Sequence, residues 1–266
     1  MKYEQIQPPA HLKQWIRYFW ILENDSADDA SQMLSPFADG CPGIIFQHSS
    51  KGSLYDPFKK NLPEIFIYGQ TISPTDIYLE GQFKSVGICF YPAALKSLFQ
   101  FNASELTDSC LDLGLLINHI KEPLVNSSTV VDQIEIFCSH LDTLIRKKGT
   151  LVDRLTEYAL QQIAQSNGNI SLRALQKELQ LSERGLQRKF DQQVGISPKL
   201  FSRVCQFQAS ITQLKNKNFD NLSDIAFDNG YSDQSHFIRT FKEFSGFSPL
   251  QFQKSNRKLT ANFSVS

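Results

Sequence analysis

A pseudo-repeat of about fifty residues fills most of the C-terminal part of the chain, and a repeat of that period constrains the architecture more than any single motif. The first copy runs from Ser171 to Phe201 and the second from Asn221 to Phe252. Leu172 matches Leu222, Leu175 matches Ile225, Leu181 matches Tyr231 and Ser182 matches Ser232. The second copy then gains one residue. After it Leu186 matches Phe237, Arg188 matches Arg239, Phe190 matches Phe241, Gly195 matches Gly246, and Ser197-Pro198 matches Ser248-Pro249.

Each copy parses as a short helix, a tight turn and a second helix. Leu172, Leu175 and Leu179 form the apolar stripe of the first helix in copy one. Ser182 and Ser232 are placed to cap the second helices by accepting an orphan backbone N–H. Leu186 and Phe190, and Phe237 and Phe241, stand four apart and point inward. That leaves Arg184, Gln187 and Arg188 outward in copy one, and Gln234, Ser235, Ile238 and Arg239 outward in copy two. A glycine and a Ser-Pro step then close one helix and start the next. This is helix-turn-helix spacing, in which the second helix enters a major groove. The forks of Arg184, Arg188 and Arg239 suit the guanine edge, and the amides of Gln187 and Gln234 suit adenine. Lys189, Lys242 and the helix starts at Ser197 and Ser248 suit phosphates.

The rest of the chain has another texture. Gly43–Phe46, Ile65–Tyr68, Asp76–Leu79 and Val86–Tyr91 are short apolar runs separated by turn residues such as Asp39-Gly40, Gly69 and Glu80-Gly81. They predict a sandwich or small barrel. A helix opens at Pro92, and a long amphipathic helix runs from Thr129 to Lys148, with Gly149 as its stop. Thr150 then starts another helix in a capping-box-like manner, with Asp153 at the third position. These features divide the chain into residues 1–149, 150–255 and a tail at 256–266. Charge follows the same division. Residues 1–149 hold 12 basic and 17 acidic side chains (−5), and residues 150–266 hold 15 and 10 (+5), so only the second part attracts an anionic partner. The expected fold class is α+β, a β-rich domain with helices followed by an all-α tandem helix-turn-helix domain.

Residues 150–255 resemble the tandem helix-turn-helix domain of AraC/XylS-type transcription regulators. The segment Gly230 to Lys242, followed by Gly246-Phe247-Ser248-Pro249, carries most of the resemblance. It implies that a long helix from about Pro198 to Leu214 joins the two units. It also implies that Arg184, Gln187 and Arg188, and then Gln234, Ser235, Ile238 and Arg239, occupy base-reading positions. The chain departs from the family pattern at Gln176 (usually Ala), Gln180 (usually Gly), Gln206 (often Arg) and Asn229 (usually apolar), and it has Gly185 inside a reading helix. The front half resembles an N-terminal domain of some family members through Pro8 to Trp20, Asp39-Gly40-Cys41 with Ile44–Phe46, and Gly87 to Ala94. That implies a β-rich, cupin-like domain for sensing or dimerisation. The implied partners are double-stranded DNA, a small-molecule effector, RNA polymerase and a second copy of the chain.

Other functions find less support. The five histidines (His11, His48, His119, His140 and His236) have no metal-ligand spacing, and no nucleotide-binding or nucleophile motif is present. The expectation is therefore no catalytic site, no metal and no cofactor. The five cysteines lack CxxC spacing and read as reduced cytosolic thiols, with Cys41 a small buried hydrophobe. Residues 1–9 lack the apolar stretch of a secretory leader, and no run reaches the roughly 18 apolar residues of a membrane helix. Two alternatives stay open: a non-DNA sensor or adaptor, and a cupin-type enzyme. Trp15, Trp20, Phe37 and Phe46 fit either core or a pocket, and the 129–148 helix fits either a dimer interface or its own domain.

Overall fold

The computed structural model describes residues 2–24, 32–48, 53–148, 152–216, 219–254, 258–260 and 263–265. The apolar runs at 43–46, 65–68 and 86–91 become strands that are buried on both faces, whereas the run at 76–79 buries only Leu79. In chain order the strands are β1 (Lys2–Ile6), β2 (Ile16–Asn24), β3 (Gln32–Pro36), β4 (Gly43–Gln47), β5 (Ser53–Tyr55), β6 (Ile65–Tyr68), β7 (Ile77–Glu80) and β8 (Phe83–Phe90). Then come helix α1 (Ala94–Phe99), strand β9 (Cys110–Asp112), and helices α2 (Asn118–Asn126) and α3 (Val130–Lys148). One antiparallel sheet has the order β1-β2-β8-β4-β6-β9.

Alternate residues of its central strands feed two separate cores. Ile44, Phe46, Ile65, Ile67, Val86, Ile88 and Phe90 pack beneath α1, α2 and α3. Ile45, Phe66 and Cys89 point the other way, toward Tyr18, Trp20 and Leu22 and the second sheet. A strand clad on both sides loses the polar/apolar alternation and reads as a continuous apolar run. The apolar face of α3 is used here, because Phe137 and Leu141 are buried in the first of these cores.

The second half is helical: α4 (Arg154–Gln165), α5 (Leu172–Glu178), α6 (Glu183–Gln193), α7 (Pro198–Asn216), α8 (Leu222–Asp228), α9 (Gln234–Ser245) and α10 (Pro249–Lys254). Their shared core runs from Ala159 to Phe252 and takes in two front-half residues, Phe37 and Ala38. The cap of α4 is Asp153, whose carboxylate accepts from the N–H groups of Leu155 and Thr156. The helix thus starts later than the sequence pattern suggests, and Gly149, Thr150 and Leu151 lie outside the described residues. The stretch expected as a tail instead contributes β10 (Lys258–Thr260) and β11 (Phe263–Val265), an antiparallel pair laid on β3. They complete the second sheet, ordered β10-β11-β3-β7-β5. Among the described residues no helix is long and apolar enough to cross a membrane.

Candidate nucleic-acid interface

In the first unit the turn between α5 and α6 passes through Gln180, which takes the left-handed conformation (φ 54°). The matching residue of the second unit is Gly230 (φ 72°). Glycine adopts that region without strain and glutamine does not, so the two turns are alike in shape and unlike in cost. Gly230 has a second constraint, because a Cβ there would fall 1.8 Å from Asn169 Oδ1. That same oxygen accepts from Gln206 Nε2 on α7 at 2.9 Å, so Gln206 fastens to α7 the loop residue that abuts the second turn.

Ser182 caps α6 by accepting from the Gly185 N–H at 3.1 Å, and a Cβ on Gly185 would crowd that Oγ at 3.2 Å. The second cap differs from the expectation. Asp233, not Ser232, caps α9 by accepting from the His236 N–H at 2.7 Å. The extra residue of copy two falls there and moves the cap one place on. Ser232 is retained beside it, with its Oγ 3.2 Å from His236 Nδ1, so His236 serves the helix start. The charge-assisted bond from His236 N–H, the largest cause, holds the Asp233 carboxyl below the usual range.

Helix α7 is the spacer. Asn229, where the family has an apolar residue, is buried and satisfied: its amide donates to Gln213 of α7 at 2.7 Å and to the Ile225 carbonyl at 2.9 Å. Arg203 of α7 pairs with Glu243 of α9 at 2.5 Å and lies over the Phe244 ring. Ser197 and Ser248 cap α7 and α10 through the N–H groups of Leu200 and Gln251.

The outward residues are positioned as follows. Arg184, Arg188, Ser235, Arg239 and Lys242 are exposed, and among the described residues none of the three arginines is in an ion pair. Gln234 is exposed, although its Oε1 accepts from Ser223 at 2.9 Å. Gln187 donates to Asp191 one turn on at 2.7 Å. Ile238 is half-buried against the helical core rather than fully outward. Lys189 departs furthest from the expectation, because its ammonium is paired with Asp153 at 2.6 Å, and this bond helps to lower the Asp153 pKa. It fastens α6 to α4 instead of facing solvent. The backbone N–H of Ser248 is also engaged, by Gln251 Oε1 at 2.8 Å.

The front half holds a cavity of about 270 Å³ between its sheets. Trp20, Phe37, Ile45, Phe66 and Ile77 give it an apolar wall, with Tyr68, Asp39 and Asp108 among its polar groups. Trp15 and Phe46 are core residues on the opposite side of the first sheet. Phe37 belongs to both halves, since it lines the cavity and also packs on Phe207 of α7 and Phe252 of α10. Around it Gln208 of α7 donates to the Ala38 carbonyl at 2.5 Å, and Thr107 donates to the Gly195 carbonyl at 2.7 Å.

Two helix-turn-helix units on one spacer helix, each presenting an exposed arginine on its second helix, define a tandem helix-turn-helix domain. Residues 175–255 match the family described as "Helix-turn-helix domain", in keeping with the resemblance of residues 150–255 to the AraC/XylS type. Residues 4–112 match a second family, described as "Domain of unknown function (DUF6597)". An uncharacterized HTH-type transcriptional regulator of Staphylococcus aureus (strain MSSA476) is 29% identical over 94 residues, 35% of this chain and 12% of the relative. Another from Haemophilus influenzae is 35% identical over 68 residues, 26% of this chain and 22% of the relative. The chain therefore spans only a small part of the curated relatives it matches. Among solved structures, ToxT from Vibrio cholerae superposes with a TM-score of 0.46 at 13% identity, over 88% of this chain and 97% of that one. The C-terminal domain of AraT from Geobacillus stearothermophilus gives 0.37 at 24% identity, over 42% and 92%.

Proposed function

We propose that the chain is a sequence-specific DNA-binding transcription regulator acting in the cytosol, without catalytic activity of its own. The observation that carries this reading is the pair of exposed arginine-bearing helices on the half of the chain with a net charge of +5. In this account α6 and α9 enter successive major grooves about 34 Å apart. Arg184, Arg188, Arg239, Gln234 and Ser235 meet base edges, and Ile238 offers its exposed edge to a thymine methyl. Gln187 reads a base only by giving up its bond to Asp191. Lys242 and the helix start at Ser197 meet phosphates, whereas Lys189 and Ser248 act inside the domain.

The front half is assigned the sensing of a small, largely apolar molecule. Its cavity approaches the lower end of ligand-site volumes and has the mostly apolar wall with a few polar groups that such sites show. Phe37 gives a bound molecule a direct contact with the packing of α7. Such a molecule shifts DNA binding only as far as it prefers one arrangement of the two halves over the other.

Titrating duplex affinity against salt tests the DNA assignment. The reading expects a steep negative slope of log affinity against log salt concentration. No measurable duplex binding at low salt would instead support an adaptor whose helical half binds protein.

A further inference from the structure

We propose that Asp39, Cys41 and Cys89 form a binding site for a thiophilic divalent cation of the zinc class. Their ligand atoms, one carboxylate oxygen and two sulfurs, all lie within 4.8 Å of one another. Sequence spacing hides this cluster because strand pairing builds it. Cys89 of β8 pairs with Gly43 of β4, and the Pro42 carbonyl accepts from the Phe90 N–H at 2.9 Å, which brings Cys41 alongside. Asp39 is turned back onto the same spot, with its Oδ1 accepting from the Cys41 N–H at 2.9 Å.

The turn is held from outside. Gly40 has φ 74° and lies so close to Phe201 of α7 that a Cβ would be 3.0 Å from its ring. Gln70 donates to the Gly40 carbonyl at 2.9 Å, and Gln208 holds the Ala38 carbonyl. Gln70 is buried, and its Oε1, on the same amide that grips Gly40, has no hydrogen-bond partner among the described residues.

The donor set decides the class of ion. Thiolates select zinc-like and other thiophilic metals over magnesium or calcium. Two sulfurs about 2.3 Å from a tetrahedral zinc ion are roughly 3.8 Å apart, so the three groups need to close by no more than about an ångström. Charge points the same way. Two thiolates and a carboxylate carry three negative charges, and the Arg17 guanidinium, 3.5 Å from Cys41 Sγ, offsets one of them. A divalent ion offsets the other two, and a buried cluster favours that neutral sum. Each ligating thiol releases its proton to solvent as the metal binds. Tyr18 makes a hydrogen bond with Cys89 and can orient its sulfur. Asp39 and Cys89 also line the cavity, so the fourth coordination position is open to water or to a donor atom of a cavity ligand.

The test uses the full-length reduced chain with Zn²⁺ alone, and Co²⁺ as the spectroscopic probe. A single ion should bind per chain, and the cobalt form should show thiolate-to-metal charge-transfer bands. Cys41→Ser, Cys89→Ser and Asp39→Asn should each weaken binding at least about 100-fold, whereas Cys138→Ser on α3 should leave it unchanged. The wild-type cobalt spectrum reads thiolate ligation with no substitution, so an unfolded serine variant does not block the test. Absence of uptake, a cobalt spectrum without thiolate bands, or affinity unchanged in the Cys41/Cys89 double variant would overturn the proposal. So would conversion of the two thiols to a disulfide with no metal bound. Each of these readouts is independent of duplex binding and of the regulator reading.

Discussion

At the scale of the residue, the two copies show what one side chain costs. Gln180 and Gly230 occupy the same place in their turns, and only the glycine is at ease there. A non-glycine residue in the left-handed region costs about 1 kcal/mol or more, partly offset by the greater freedom glycine has when unfolded. Gln180→Gly should therefore raise stability by about 0.5–1 kcal/mol, read as a higher thermal midpoint, and a lower midpoint would contradict this account of the turn. His140 on α3 gives a pH prediction. Burial, then His119 and Lys147, hold its pKa down to about 4, and its Nε2 has no hydrogen-bond partner among the described residues. Asp132 and Glu135 line the same hollow. Because the folded value lies below the ordinary 6.5, the neutral imidazole is favoured in the fold. Its contribution is complete above pH 6.5 and is lost as pH falls toward 4. His140→Gln should flatten the stability profile across that window, and an unchanged slope would show that other groups set it.

At the scale of the element, burial explains both what could be read from sequence and what could not. The strands β4, β6 and β8 were legible because both of their faces are covered. By contrast, β1, β5 and β9 are short strands at or near sheet edges with few buried side chains, and α2 has Pro123 inside it. The expected cap Ser232 matches Ser182 by type, but the inserted residue shifts the cap to Asp233. Lys189 reads as a phosphate contact in the sequence because its partner, Asp153 at the cap of α4, lies 36 residues away. The same distance problem hid the cluster of Asp39, Cys41 and Cys89. Helices α6 and α9 were legible as helices, since two copies repeat the pattern of buried pairs and outward arginines. For α9 the prediction is that Arg239→Ala weakens specific binding by about 1–3 kcal/mol and relaxes the choice at one base pair. An equal loss on every duplex would make Arg239 a phosphate contact instead.

At the scale of the whole molecule, the two halves share a core rather than a linker alone. Phe37 and Ala38 are buried among helical-half residues, and β10 and β11 return to the second sheet after α10. A cavity that touches Phe37 is thus one side chain away from the spacer helix. There the effector proposed above would gain differential contact with two arrangements of the domain. The central claim remains that α6 and α9 read DNA together from opposite ends of α7. Selecting bound duplexes from a random pool tests it most directly. The account predicts enrichment of an asymmetric site spanning about two helical turns, with separate blocks of preferred bases for the two helices. A pool left without any preferred sequence, or a single block with indifferent flanks, would contradict it.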